Sequence, residues 1–155
     1  MGMKPAEFQF RLQSAGAGPH RLMPPLSRKD LGLWQANHPD VSLPDEQIDF
    51  YRISNGARFW VDTDPSGYLS LSPLEDLMTA RQRIWLGDGG LRPDDVPLPH
   101  WLAISDHVDG ADFIVLDTDA SVYYQMDSCG ADLSCPIGPS FEDVLDHVWN
   151  NWVLR

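Results

Sequence analysis

Basic residues are almost missing from the last part of this chain. Residues 93–155 contain twelve acidic side chains but only one basic side chain, Arg155. Nucleic acids carry closely spaced phosphate charges, so a field of this sign repels them and attracts basic protein surfaces. High negative charge also keeps a protein soluble without any binding role. The charge pattern therefore argues against direct nucleic-acid binding, and it leaves both explanations of the acidity open.

Cysteine and long apolar runs are also scarce. The only cysteines are Cys129 and Cys135, in the short segment SCGADLSC. We expect free thiols there, since no export signal indicates a compartment in which disulfides persist, and whether the two ever pair stays open. No stretch approaches the roughly 18 apolar residues that a membrane-spanning helix needs. The sequence thus predicts a cytoplasmic protein that does not enter a membrane.

Motifs of common enzymes and metal sites are missing as well. There is no GxSxG and no HExxH, and no glycine-rich loop continues into GK[ST]. The segment 62–67 imitates the start of a calcium loop, but Pro73 occupies the twelfth position, where a bidentate Glu is required. His107 stands among aspartates without a recognisable ligand spacing, and the cysteines lack further ligands for zinc. We therefore predict no catalytic residue, no metal and no cofactor.

The chain does contain enough apolar material for one core. With 155 residues, 43% of them apolar, a single folded domain is expected, and thirteen prolines imply many turns. Residues 1–26 end in a run of small residues and prolines, so we predict an N-terminal arm or loop there and one domain over residues 27–155. Within the arm, Phe8, Phe10 and Leu12 alternate with polar residues, which is typical of a short edge strand.

A central segment, LPDEQIDFYRISNGARF at residues 43–59, combines a helix with the strand that follows it. Pro44 suits the first helical turn, and acidic residues come next, where the helix dipole favours them. Asn55-Gly56 tolerates the positive φ of a C-terminal cap, and the aromatic residues after it favour a strand. DPSG at residues 64–67 is a type I turn sequence, so we expect the strand to return as a hairpin.

Three other helices are predicted from their first residues. Ser72-Pro73-Leu74-Glu75 offers a cap, a proline at the first helical position and a partner for a capping box. Apolar residues then recur at helical spacing as far as Trp85. The remaining two starts pair Ser27 with Asp30 and Ser140 with Asp143.

Three strands are predicted before the last helix. They are Trp101–Ile104, Asp112–Leu116 and Val122–Gln125, and the short turns between them favour an antiparallel meander. Residues 113–116 are continuously apolar, so the middle strand is expected to be covered on both faces.

This order of features resembles the SUKH superfamily, which includes fungal cell-wall-assembly regulators and bacterial immunity proteins. The resemblance extends from about Leu31 to Trp149. It rests on LPDEQIDFYRISNGARF, the helix start at Ser72–Leu77, the W-x-x-I strand at Trp101, DGADFIVLDTD with SVYY, and the closing PSFEDVLDHVW. It implies an α+β fold in which a twisted, mostly antiparallel sheet packs against helices. It also implies a binding module without shared catalytic residues, often one that neutralises a toxin, frequently a nuclease.

Together with the acidity, this resemblance predicts a non-catalytic immunity protein that binds a basic toxin domain directly. The alternative is a regulatory scaffold of the cell-wall-assembly type with several weak partners. The long N-terminal arm and the two-cysteine loop depart from the family pattern. Contact residues are expected on turns of the most acidic part of the chain, where aspartates cluster. They are Asp106, Asp109, Asp112, Asp117, Asp119 and Asp127.

Overall fold

The computed structural model describes residues 2–14, 20–61, 64–79, 101–107, 112–127 and 135–153. Over these ranges the chain forms four α-helices and nine β-strands, which confirms the predicted α+β class. The helices are α1 (Pro5–Ser14), α2 (Arg28–Asn37), α3 (Asp45–Ile53) and α4 (Phe141–Val148). The strands are β1 (Arg21–Leu22), β2 (Ala57–Val61), β3 (Asp64–Leu71), β4 (Met78–Thr79), β5 (Leu102–Ala103), β6 (Ser105–His107), β7 (Asp112–Asp117), β8 (Val122–Asp127) and β9 (Cys135–Gly138). A 3-10 turn covers Leu74–Asp76, and a π-helical turn covers Trp149–Val153.

The helix and strand predicted at the centre of the chain are present as α3 and β2. Gly56, which lies between them, has a φ of +99°, a conformation that strains any residue with a side chain. A Cβ at this position would also lie 2.8 Å from the carbonyl oxygen of Leu71. The face of α3 that carries Gln47, Phe50 and Tyr51 is buried, as three- and four-residue spacing requires. Local sequence therefore fixes this corner of the fold.

Two antiparallel sheets meet at residues 102–107. The first has the strand order β1-β2-β3-β6, and the second has the order β4-β5-β7-β8-β9. Ile104 N–H donates to the Ile114 carbonyl (2.9 Å), whereas Ile114 N–H donates to the Ser105 hydroxyl (2.7 Å). The Ser105 side chain therefore takes the place of a backbone acceptor where the pairing with β7 ends. The chain passes from one sheet to the other at this point, since Ser105 already pairs with Leu71 of the first sheet.

Helices α1, α3 and α4 pack on the sheets and enclose the core. Phe8 of α1 is fully buried, with its ring edge-on to Phe59 of β2 at 5.7 Å and to Trp149 at 6.0 Å. The ring of Phe141, at the start of α4, lies 5.8 Å from that of Tyr123 on β8. Aromatic pairs in such arrangements contribute about 0.5–1.5 kcal/mol each beyond the area that they bury. These contacts join the first and last helices to the sheets.

The predicted meander and the predicted last helix are both confirmed. Strands β5, β7 and β8 are adjacent and antiparallel, and residues 113–116 of β7 are at most 4% exposed, as expected for a strand covered on both faces. Ser140 Oγ accepts from Glu142 N–H (3.1 Å), and the Asp143 carboxylate accepts from Ser140 N–H (3.1 Å). This is the capping box that the sequence predicts for α4. The Ser27 cap of α2 is present as well.

The edge strand predicted near the N-terminus is wrong, because this segment forms helix α1. Phe8 and Leu12 lie four residues apart and both face the core, whereas Phe10 points outward and is 68% exposed. Met3 is also buried, and its N–H donates to the Glu142 carbonyl at the start of α4 (2.9 Å). Much of the expected arm thus belongs to the same hydrophobic core as the rest of the chain.

The long helix predicted from Ser72 is also wrong over the described residues. Residues 74–76 make a single 3-10 turn, and Met78 already belongs to β4. No side-chain hydrogen bond caps this turn from within; instead, Asn55 Oδ1, from the end of α3, accepts from Leu74 N–H (2.9 Å). A contact from a distant part of the chain therefore replaces the local cap. The predicted continuation to Trp85 lies outside the described residues.

Two details of the strands differ from the sequence expectations. Strands β2 and β3 form the predicted hairpin, but residues 64–67 belong to β3, and the register shifts after Trp60. Strand β9 pairs with β8 and was not expected, because proline and glycine are poor strand formers. Cys135 lies exposed and free in β9, and Cys129 lies outside the described residues.

Candidate partner-binding surface

The first sheet has a polar face on the side away from the core. Its register aligns Arg21 with Arg58, Arg58 with Ser70, and Ser70 with Asp106. Residues directly opposite each other in a sheet point to the same side. The neighbouring residue Ala57 is buried in the core, so these four side chains point the other way. We call this set of four residues the polar row.

A depression of about 240 Å³ lies over part of the polar row. Arg58, Ser70 and Asp106 line it, and Met23 and Asp76 lie at its sides. Arg58 is exposed, and Met23 is 38% exposed. We call this depression the sheet-face groove. It combines a guanidinium, two carboxylates and an apolar side chain, which suits it to hold charged and apolar side chains of another protein.

Side chains of α3 and of the residues just after it hold the wall of the groove that carries Asp76. Asn55 Oδ1 caps the 3-10 turn, and Asn55 Nδ2 donates to Glu75 Oε2 (2.9 Å). Tyr51 OH donates to the Ser72 carbonyl (3.1 Å), just before the turn begins. Because Tyr51 belongs to a packed helix and Asn55 follows its C-terminal cap, α3 and its end set the position of Asp76.

A buried polar cluster lies behind this wall and joins α3 to the second sheet. Tyr123 OH donates to Gln47 Oε1 (2.6 Å), and both residues are fully buried. Gln47 Nε2 has no hydrogen-bond partner among the described residues. Burial raises the pKa of Tyr123 and of Tyr51 far above the ordinary value of 10.0, although the Gln47 side chain opposes this shift at Tyr51. Both phenols therefore stay protonated and act as structural donors rather than as bases or nucleophiles.

The predicted contact aspartates occupy different surroundings. Asp106 belongs to the polar row and lines the sheet-face groove. Asp119 is exposed in the turn between β7 and β8. Asp117 is only 7% exposed, and its Oδ1 accepts from Asp119 N–H (3.0 Å) and Ala120 N–H (3.2 Å). Asp117 thus fixes the backbone of that turn, as aspartate commonly does.

Asp112 and Asp127 belong to the opposite end of the same hairpin. Asp112 pairs with Asp127 in the register of β7 and β8. Strand β7 has six residues, so this pair lies about 17 Å along the sheet from Asp117. Asp109 lies outside the described residues. The structure therefore places Asp106 in the groove and the other described aspartates at the two ends of a hairpin, and their contact with a partner stays a prediction.

Sequence reasoning missed the basic half of the polar row. Arg58 stands between two buried residues, Ala57 and Phe59, so the alternation in β2 already indicated that its side chain faces outward. What the sequence did not contain was the register that aligns Arg58 with Ser70 and Asp106. Strand pairing over this distance depends on the whole fold, so the mixed charge of the surface was not foreseeable from local patterns.

In the described part of the chain, no group of three or more His, Cys, Asp or Glu residues is placed to hold a metal ion. No helix in the same ranges has the length and apolar character to cross a bilayer.

The part of the sequence that forms the groove matches a known family. The model of the SMI1 / KNR4 family (SUKH-1) matches residues 25–147, well over half of the chain. The chain belongs to the SUKH-1 family. The SUKH-1 match begins after α1 and β1, ends within α4, and includes Arg58, Asp76 and Asp106. No curated protein matches the chain. Membership supports a module of the immunity or regulatory type, which in this family is known to be non-catalytic and to act through other proteins.

Proposed function

We propose that this SUKH-1 protein is an immunity protein that neutralises a toxin by binding to it directly. The family match over residues 25–147 carries the proposal, because the family comprises immunity and regulatory proteins without catalysis. The expected partner is a basic toxin domain, and a nuclease fits, since surfaces that bind nucleic acid are positively charged. A cytoplasmic location and the absence of direct nucleic-acid binding are part of this proposal. A regulatory scaffold with several weak partners is the alternative.

The charge of the chain supports a basic partner. The formal net charge is −12, and residues 93–155 carry twelve acidic side chains with one basic side chain. Opposite charges on two proteins accelerate their encounter, and salt weakens this effect over distances of about 10 Å at 0.1 M ionic strength. We therefore expect association that is fast at low salt and slows as salt is added.

The sheet-face groove is the proposed centre of the contact. Asp76 and Asp106 offer carboxylates there, while Arg21 and Arg58 occupy the other part of the polar row. A partner that fits must place a cation over the carboxylates and an acceptor over the arginines. This requirement makes the surface selective, because a uniformly basic protein would meet two like charges.

The exposed turn aspartates extend this contact in the proposal. Asp119 is exposed on the β7–β8 turn. Asp109, Asp112 and Asp127 are assigned to the contact on the charge of this part of the chain alone. Asp117 is assigned a supporting position, because its carboxylate is engaged by two backbone N–H groups of the turn.

Co-expression with the product of a neighbouring toxin gene tests the function. Rescue of growth together with a complex of fixed stoichiometry is the expected result. Failure of both, with the two proteins folded and present, contradicts the proposal. Several weak complexes without rescue of growth favour the regulatory alternative.

Single charge removals test the site. Asp106→Asn is expected to slow association with the toxin domain at low salt and to lose this effect at high salt. Asp40→Asn is the matched control, because Asp40 is exposed, lies in the basic N-terminal part of the chain and carries the same charge. Equal effects of the two variants would mean that only the net charge matters and that the groove is not the contact.

A further inference from the structure

The C-terminal end of α4 contains a hydrogen-bond network that the proposed function does not use. His147 is partly buried, and its Nε2 lies 3.1 Å from Gln125 Oε1 on β8. On the other side of the ring, Asn151 Nδ2 lies 3.3 Å from Nδ1 and also donates to the His147 carbonyl at 2.8 Å. An amide oxygen only accepts, so Nε2 carries the ring proton and Nδ1 accepts from Asn151. The ring is therefore neutral in this arrangement.

The network holds the π-helical turn that follows α4. The ring of Trp149 lies 6.0 Å from that of Phe8, and the guanidinium of Arg11 lies 6.0 Å above it. Trp152 and Val153 are partly buried against the same core. We call residues 149–153 the C-terminal turn. It contributes apolar contacts to α1 and to the core, and Asn151 ties its middle to the end of α4.

A second proton on the imidazole is incompatible with these contacts. It would occupy Nδ1 and place an N–H group against the NH₂ group of Asn151, so two donors would face each other. If the amide turned over, its oxygen could accept from Nδ1–H. The same rotation would remove the donor from the His147 carbonyl and bring two acceptor oxygens together. Protonated His147 therefore cannot keep both bonds to Asn151.

The charged groups around His147 do not compensate for a second proton. Burial lowers the pKa of His147, and the neighbouring carboxylate of Asp146 opposes this shift only in part. Asp143, one turn earlier, is engaged in the capping box. The paired parts of β8 and β9 bring the titratable residues Tyr123, Tyr124 and Cys135, with Asp127 at the end of β8. Arg11 of α1, which is paired with Glu7 (2.7 Å), brings a cation over Trp149 near the same end of α4. Lys4, Glu46, Asp49 and Arg52 lie at the other end, around Glu142.

We propose that His147 is a proton-sensitive latch that holds the C-terminal turn on the core and releases it on acidification. The direction of the pH effect follows from the pKa of His147 in the two states of the latch. In the released state the imidazole has its ordinary pKa of about 6.5, whereas in the latched state the pKa lies lower. Above about pH 6.5 both states are neutral and the turn stays closed. Below that pH the released state binds more protons, so acid shifts the population toward it.

Hydrogen exchange on the full chain tests the latch without any partner. Backbone protection of the C-terminal turn is measured at about pH 7.5 and about pH 5.5, with exchange times matched for the intrinsic effect of pH. Protection of the turn is expected to fall by up to about tenfold for each pH unit between the two pKa values, while β7 and β8 keep theirs. Unchanged protection of the turn at the lower pH would overturn the proposal.

Two variants and a control make the assignment specific. His147→Gln keeps a donor and an acceptor but does not titrate, so the turn is expected to have the same protection at both pH values. Asn151→Ala removes both bonds to His147, so the turn is expected to be open already at the higher pH. His38→Gln, at the exposed C-terminal cap of α2, must keep the wild-type pH dependence. A wild-type response in His147→Gln, or a closed turn in Asn151→Ala, would contradict the latch.

Discussion

Truncation of Phe8 tests whether α1 is an integral part of the core. Phe8 is fully buried and contacts the rings of Phe59 and Trp149. Phenylalanine-to-alanine changes in cores cost about 3–5 kcal/mol through lost burial and the cavity that remains. Phe10→Ala is the matched control, because Phe10 lies on the same helix, is 68% exposed, and gains the same roughly 0.5 kcal/mol of helix propensity. The difference between the two variants should therefore be about 3–5 kcal/mol in the free energy of unfolding.

Urea denaturation measures this difference. For slopes of about 1–3 kcal/mol per molar urea, the midpoint of Phe8→Ala should lie about 1 M or more below that of Phe10→Ala. A Phe8→Ala protein that is already unfolded in buffer represents the upper end of the same outcome. Free energies of unfolding that agree within about 0.5 kcal/mol would show that α1 is a dispensable arm and that its place in the core is misassigned.

Three further predictions concern the corner, the groove wall and the buried phenols. Gly56→Ala should destabilise the protein by about 2 kcal/mol or more, since a side chain there is strained and crowded. Gly32→Ala should stabilise it by about 0.5–1 kcal/mol, because a Cβ at this position inside α2 meets open space. Thermal unfolding of the two variants measures both effects. Asn55→Ala should cost about 1 kcal/mol and raise amide exchange at residues 74–76, and unchanged exchange would exclude the cap. Above about pH 10 the free energy of unfolding should decline, because Tyr51 and Tyr123 ionise in the unfolded chain but stay protonated in the folded protein. Tyr123→Phe should weaken that decline, which urea titrations at several pH values measure.

Elements whose determinants are local were predictable from the sequence. Ser27 and Ser140 cap their helices through hydrogen bonds within three residues, and Gly56 turns the chain into β2 with the positive φ that its residue type permits. The four apolar residues of β7 indicated a strand covered on both faces, and the structure has it. In each case the chemistry that decides the structure lies inside the segment itself.

Elements whose determinants are distant were not predictable. Phe8, Phe10 and Leu12 have the spacing of a strand, but they also fit a helix in which Phe10 faces the solvent. Packing of Phe8 against β2 and Trp149 decides between the two. The helix predicted from Ser72 does not form over the described residues, because Asn55 caps a single turn there and β4 pairs with β5. The mixed charge of the sheet-face groove likewise comes from strand register, which no local pattern contains.

Titration of the neighbouring toxin domain with this protein tests the central claim most directly. If the chain neutralises by occupying its partner, toxin activity should fall linearly and reach zero at one equivalent, and activity should return when the complex is dissociated. Complete inactivation at far less than one equivalent, or inactivation that persists after the two proteins are separated, would show that the chain transforms its partner. Full toxin activity in the presence of excess folded protein would show that it does not bind this toxin at all.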